Sequence, residues 1–308
     1  MLDTILDSIV PVFFVITLGW FSGKKNIVSI EHKKAFADYV MMFSFPLHLF
    51  IGSAKANPKT LLDVRIISSF ALALMGLYVI SFIIQKHIFK YDSRKAAQGS
   101  IVCAFPNMAF MGIPVLTSLI GPEALISVAI GNVITSIFMI PITTIILESK
   151  DASASPMKII KSSLINCIKK PLIIAPILGL LCSVFHIEIP KVVFHSFELI
   201  GKSTSGVSLF SLGLIMASYR VVLSGQVYFN IFMKNILQPI IMSGLIVLFH
   251  LKGIMAKEIL LLCAMPTATI STMFGLKYGV SEVESSSSTI LGTIFSIVTL
   301  SFLISFIL

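Results

Sequence analysis

Apolar runs long enough to cross a bilayer recur from one end of this chain to the other, separated by short loops that hold most of its Lys and Arg residues. A bilayer core is about 30 Å thick, so a helix needs roughly 20 mostly apolar residues to cross it. Within that core the chain must satisfy its own backbone N–H and C=O groups, which leaves helices and closed barrels as the spanning structures. Runs of this length without strict alternation point to helices. They fall near residues 4–22, 35–53, 66–85, 97–119, 124–147, 171–188, 199–218, 227–250, 258–276 and 285–308. Hydrophobic residues make up 56% of the 308 and charged ones 12%, whereas a soluble domain carries about 25% charged residues. We therefore expect an all-α polytopic membrane protein with ten transmembrane helices and no soluble domain.

The charge pattern sets an orientation and excludes some functions. A net charge of +9 would suit a nucleic-acid binder, but the basic residues sit in short loops between spans and form no continuous patch. Alternate loops hold fifteen and seven Lys and Arg residues, with Lys234 inside a span. The richer set faces the cytoplasm by the positive-inside rule, which puts both termini outside. Asp3 and Asp7 stand where a signal peptide would carry basic residues, so the first run reads as a retained span. The four cysteines show no CxxC spacing and read as small buried residues. Nothing in the pattern calls for a metal or cofactor.

The two halves align without a gap at an offset of 160 residues. "PVFFVITLG" (Pro11–Gly19) meets "PLIIAPILG" (Pro171–Gly179), Leu49–Phe50 meets Leu209–Phe210, and "CAFPN" (Cys103–Asn107) meets "CAMPT" (Cys263–Thr267). Each half holds five spans. An odd number sends the second half into the membrane from the opposite side, so the chain reads as two inverted five-helix repeats, a pattern found in many secondary transporters. The repeats cover residues 1–147 and 171–308, joined by a short cytoplasmic connection, 148–170.

Two spans break themselves at mid-depth. "AFPNMAFMGIPVL" (Ala104–Leu116) and "AMPTATISTMFG" (Ala264–Gly275) each carry a proline near the middle. Proline lacks an N–H and clashes with the preceding turn, so Pro106 and Pro266 should end one half-helix each and force Phe105 and Met265 out of helical geometry. Unwound backbone at that depth persists only when buried in protein or lining a wet cavity. The half-helix after each break presents free N–H groups and about +0.5 charge from its dipole. Two such ends brought together from opposite sides form a midplane pocket for an anion. Asn107 and Thr267 occupy equivalent positions at these starts and are our candidate carboxylate ligands.

Other polar residues lie within spans. His48 is the only deep histidine and its repeat mate is Ser208; His48 is a candidate for substrate contact or proton transfer. Asn132 could line the back of the site or pack across helices. Asp38, near the cytoplasmic end of the second span, is a candidate proton site or an interfacial partner of Lys33–Lys34. Lys234 reads as snorkelling to the interface, with a counter-charge role as the alternative. Glu198 and Lys202, four apart, read as a solvated pair. "SEVE" (Ser281–Glu284) has capping-box spacing before the last span, and "GPEAL" (Gly121–Leu125) marks the start of the fifth. With one deep His, no HExxH and no paired acids at depth, an intramembrane enzyme is not indicated.

The resemblance to a known family is specific at these same residues. "FPNMAFMGIPVLTSLIG" (Phe105–Gly121) resembles the fourth-span motif of the auxin efflux carrier family, which includes plant carriers and bacterial permeases of malate-like acids. "AMPTATISTMFGLKYGVSEVES" (Ala264–Ser285) resembles that family's ninth span and "KNILQP" (Lys234–Pro239) its eighth. The resemblance implies a fold like the bile-acid/sodium symporters, with helices 1, 2, 6 and 7 as scaffold. Helices 3–5 and 8–10 would form a moving transport domain, with broken helices 4 and 9 crossed. It implies elevator-type transport of small organic anions, a homodimer through the scaffold, crossover prolines at Pro106 and Pro266, and a substrate-binding Asn at Asn107. The connection Ser149–Lys169 is far shorter than the polar loop of long-loop plant carriers, which favours a bacterial inner-membrane permease. A sodium-coupled carboxylate symporter, using oxygens of Thr267, Thr269 and Ser271, and an anion channel or sensor on the same fold are the alternatives.

Overall fold

In the computed structural model the described residues are 2–29, 32–55, 63–121, 124–148, 169 and 171–307. Among them all regular structure is helical, apart from one isolated antiparallel bridge. Five helices are long and apolar enough to cross a membrane by length and composition: Val64–His87, Ile126–Glu148, Lys191–Ala217, Gly225–Leu248 and Glu282–Phe306.

We label the helices in chain order. The first, α1, is Leu2–Lys24. Next, α2 runs through Lys33–Tyr39, a π-turn at Val40–Ser44 and Phe45–Lys55. Then come α3 (Val64–His87), α4 (Ser93–Ala104), α5 (Met108–Leu119) and α6 (Ile126–Glu148). The second half holds α7 (Pro171–Val184), α8 (Lys191–Ala217), α9 (Gly225–Leu248), α10 (Ile254–Ala264), α11 (Thr269–Tyr278) and α12 (Glu282–Ile307). The connection between halves, 149–168, and the Pro122–Glu123 start of "GPEAL" lie outside the described residues.

Local chemistry explains the ends. Asp63 caps α3 by accepting the Arg65 N–H at 2.9 Å, and Asp92 caps α4 through Lys95 N–H at 2.9 Å. The capping box expected at Ser281 does not form. The Ser281 hydroxyl has no hydrogen-bond partner, and its backbone sits at φ 46°. Helix α8 begins at Lys191, earlier than the apolar run that starts near 199. Its first turns carry His195, Glu198 and Lys202, which pair at 3.7 and 3.5 Å with Lys202 and His195 largely exposed, so this end is solvated.

Two groups of helices meet at the site. In one, α1 packs along α8 and α7 packs along α2. Both contacts are close enough to exclude any side chain. A Cβ built at Gly19 would collide with the Phe210 carbonyl, and one at Gly179 with the Phe50 carbonyl. In the other group, α3, α4, α9, α11 and α12 bury Ser, Thr, Gln or Asn among apolar side chains, and α10 packs against α3, α9 and α12. Large apolar side chains cover much of the outer surface, among them Phe14, Ile240, Val247 and Phe306, the last 75% exposed. A monomeric soluble protein rarely shows an apolar surface that extensive.

Candidate functional site

Both broken spans behave as their prolines require. Helix α4 stops at Ala104, and Phe105 turns to an extended φ −93°, ψ 104°. Helix α10 stops at Ala264, and Met265 takes φ −59°, ψ 146°. The two extended pieces lie antiparallel and satisfy one another. Asn107 N–H donates to Pro266 O at 2.8 Å, Ala268 N–H donates to Phe105 O at 2.9 Å, and Pro106 pairs with Thr267 in the one isolated bridge. Each break is thus repaired by the other, which is the condition for irregular backbone inside a membrane protein.

Beyond the breaks the chain restarts as α5 and α11. Asn107 caps α5: its Oδ1 accepts the Phe110 N–H at 3.3 Å. That bond turns its Nδ2 away from the helix. Asn107 is 1% exposed, and Nδ2 has no hydrogen-bond partner. No side chain caps α11. The first residues of both helices, Met108–Phe110 and Thr269–Ile270, line a cavity of about 220 Å³ together with Phe105, Pro106, Asn107 and Ala268. Asn132 and Ser136 of α6 form another wall, and Met42 of α2 and Pro171 of α7 close the far side. The lining is largely apolar, with Asn107, Asn132, Ser136 and Thr269 as its polar residues.

The sequence-predicted residues divide accordingly. Asn107, Pro106 and Asn132 line this cavity; the Asn132 amide also donates to Val128 O at 3.0 Å. Pro266 lies behind the lining, its carbonyl taken by Asn107. The Thr267 hydroxyl donates to Val102 O at 2.8 Å and also lies behind the lining. Ser208 donates to Phe110 O at 3.2 Å and so ties α8 to the first turn of α5. His48 sits between α2 and α8 against Gly201, its Nε2 buried without a partner, outside the lining. Asp38 is exposed on α2 and also outside it.

Sequence reading missed three features. Lys234 does not snorkel: it is 0% exposed, and its Nζ donates to Cys263 O at 2.9 Å. Gln238, one turn on, donates to Ala104 O at 2.9 Å. Glu258, placed at the edge of the ninth apolar run, is 1% exposed and accepts a short hydrogen bond from Ser127. "KNILQP" held the first two, but nothing in an all-apolar run tells which side of a helix faces inward.

Comparison with known proteins shows the family. The family of membrane transport proteins matches residues 4–304. The uncharacterized transporter YfdV of Escherichia coli K12 is 26% identical over 91% of this chain and 90% of its own. The uncharacterized transporter MJ1031 of Methanocaldococcus jannaschii is 24% identical over 96% of each chain. Auxin efflux carrier component 8 of Arabidopsis thaliana is 21% identical over 96% of this chain and 95% of its own. A match that spans nearly the whole chain, on a helical protein with membrane-length apolar segments, identifies a multi-pass membrane transporter and not an enzyme: the chain belongs to the membrane transport protein family that includes the auxin efflux carriers.

Proposed function

We propose that this protein is a secondary transporter that carries small organic anions of the malate type, with the carboxylate held where α5 and α11 begin. One observation carries the reading: the Asn107 amide, buried and with an unpartnered Nδ2, lines a cavity between the two helix groups. A carboxylate oxygen accepting from Nδ2 would satisfy that donor, while the two helix starts add favourable potential without a Lys or Arg. The apolar remainder of the lining suits a cargo with a hydrocarbon portion. Auxin, named for the Arabidopsis relative, is one such acid.

The proposed mechanism is elevator-like. Helices α1, α2, α7 and α8 serve as the fixed scaffold. The crossover group moves past them with the anion, and the cavity changes sides because its far wall belongs to the scaffold. An inverted repeat, as the sequence offset suggests, would support this reading. Gly19 against Phe210 and Gly179 against Phe50 are the same contact shifted by 160 residues, as two inverted halves would give. In this proposal Thr267 and Ser208 position the backbone around the site, and His48 and Asp38 are the groups available for proton coupling. The scaffold's exposed apolar faces would form a homodimer contact in a bacterial inner membrane, with both termini outside.

The test is uptake of labelled malate, malonate, succinate, lactate and indole-3-acetate into proteoliposomes under an imposed membrane potential, with Asn107→Ala beside the wild type. Saturable uptake that the variant loses is expected. Saturable uptake unchanged in a folded Asn107→Ala protein would overturn the site, and no saturable uptake of any acid would overturn the substrate class.

A further inference from the structure

The crossover has a second pair of helix ends, and they are negative. Helices α4 and α10 both finish there with their C-termini, where the dipole leaves about −0.5 charge and the last carbonyls lack partners. Two of those carbonyls, Ala104 O and Cys263 O, receive side chains from one helix, α9. Gln238 donates to the first at 2.9 Å and Lys234 to the second at 2.9 Å.

Lys234 is the unusual member. It is fully buried, and among the described residues no carboxylate pairs with it. Burying an ammonium without a counter-charge is costly unless a negative environment offsets it. Here the offset comes from the carbonyl ends of α4 and α10, one of which, Cys263 O, accepts directly from the Lys234 Nζ. A π-turn at Met233–Leu237 widens this part of α9 and places Met233, Lys234 and Asn235 all inside. The sequence thus places a buried basic residue and a helix defect at one spot.

We propose that Lys234 is a resident cation of the carrier, a tethered ammonium in the place where a coupling metal cation would otherwise neutralise the crossover's negative helix ends. The inference rests on the transport reading above. Its consequences are that the wild type needs no sodium to assemble the anion site, and that the Lys234 charge, not only its hydrogen bond, supports anion binding.

The test uses the purified full-length protein and begins with thermal unfolding, which needs no known substrate. Replacing sodium chloride by choline chloride should leave the wild-type midpoint unchanged. Lys234→Ala should unfold at lower temperature and recover in propylammonium chloride but not in choline chloride at equal ionic strength, because the small ammonium can refill the vacated place. A wild type that sodium stabilises, or a Lys234→Ala protein indifferent to propylammonium, overturns the proposal. Anion affinity then separates charge from capping. Lys234→Arg keeps the charge, and Lys234→Gln keeps a donor without it. The Arg protein should retain affinity for whichever labelled acid the wild type transports, and the Gln protein should lose about tenfold or more. Equal affinity in the two overturns it, and this comparison decides where Lys234→Ala cannot be purified. If the wild type takes up none of the acids, the transport reading falls while the unfolding comparisons still decide the role of Lys234.

Discussion

A single amide illustrates how narrowly this site is drawn. Asn107 uses its oxygen to cap α5, its nitrogen is buried without a partner, and the residue lines the cavity of the proposed site. Asn107→Asp should therefore behave differently from Asn107→Ala. The Asp carboxylate can still cap α5, yet it would repel an incoming anion and abolish saturable uptake. Retained uptake in the Asp protein would place the anion elsewhere. Loss of one hydrogen bond to a charged group, as in Asn107→Ala, is worth about 1.5–3 kcal/mol, which predicts a roughly tenfold to hundredfold weaker binding constant by titration of the labelled acid. At this scale the sequence was legible where chemistry is local. Proline dictates its own break, and Asn after it is a natural cap. It was not legible where partners are distant. Thr267 looks like a ligand by its repeat position, but its hydroxyl finds Val102 O on another helix. The depth of Lys234 depends on the carbonyl of Cys263, which only the folded crossover presents.

At the scale of elements, the breaks and the close helix pairs are where structure departs from plain spanning helices. Pro106→Ala restores an N–H and removes the clash that ends α4, so α4 would run on toward α5 and the bonds from Asn107 to Pro266 O and from Ala268 to Phe105 O would be lost. We expect unchanged helix content by circular dichroism and loss of anion affinity; preserved affinity would show that the break does not build the site. The glycine contacts predict a different defect. Gly179→Leu would force α7 off the Phe50 carbonyl, at a cost of at least about 1–3 kcal/mol, seen as a lower unfolding midpoint. The apolar runs marked most helix positions well, because length and hydropathy alone decide them. The four π-turns among the described residues, at Val40–Ser44, Met108–Gly112, Thr135–Met139 and Met233–Leu237, left no trace in the sequence pattern. An extra residue in one turn shifts the inward face, and a segment apolar on every side carries no period to reveal that shift.

At the scale of the whole molecule, the cavity is lined by both helix groups, with Met42 and Pro171 from one and Asn107 and Ile270 from the other. If one group moves past the other during transport, joining them should stop it. A Met42→Cys/Ile270→Cys pair bridged by a short bifunctional thiol reagent should lose uptake, while each single variant treated alike should keep it. Uptake that survives complete cross-linking would exclude the sliding motion. The 160-residue offset, three short matches in one register, is what led the sequence to be read as two related halves without any contact being known. How the groups meet was not readable, because it depends on the π-turns and on side chains with partners in the other half.

The mutual repair of the two breaks has a consequence for how the protein is made. The carbonyls of Phe105 and Pro266 are satisfied only by amides from the opposite half, about 160 positions away along the chain. The first half, made before residues 265–268 exist, would leave the translocon with an open backbone at mid-depth. Maturation must therefore wait for residues 265–268, and a chain truncated after residue 250 should be retained by the insertion machinery or cleared by membrane proteolysis. Quality control of this carrier would then rest on a single late event, the arrival of the tenth helical segment beside a partner that has been waiting for it.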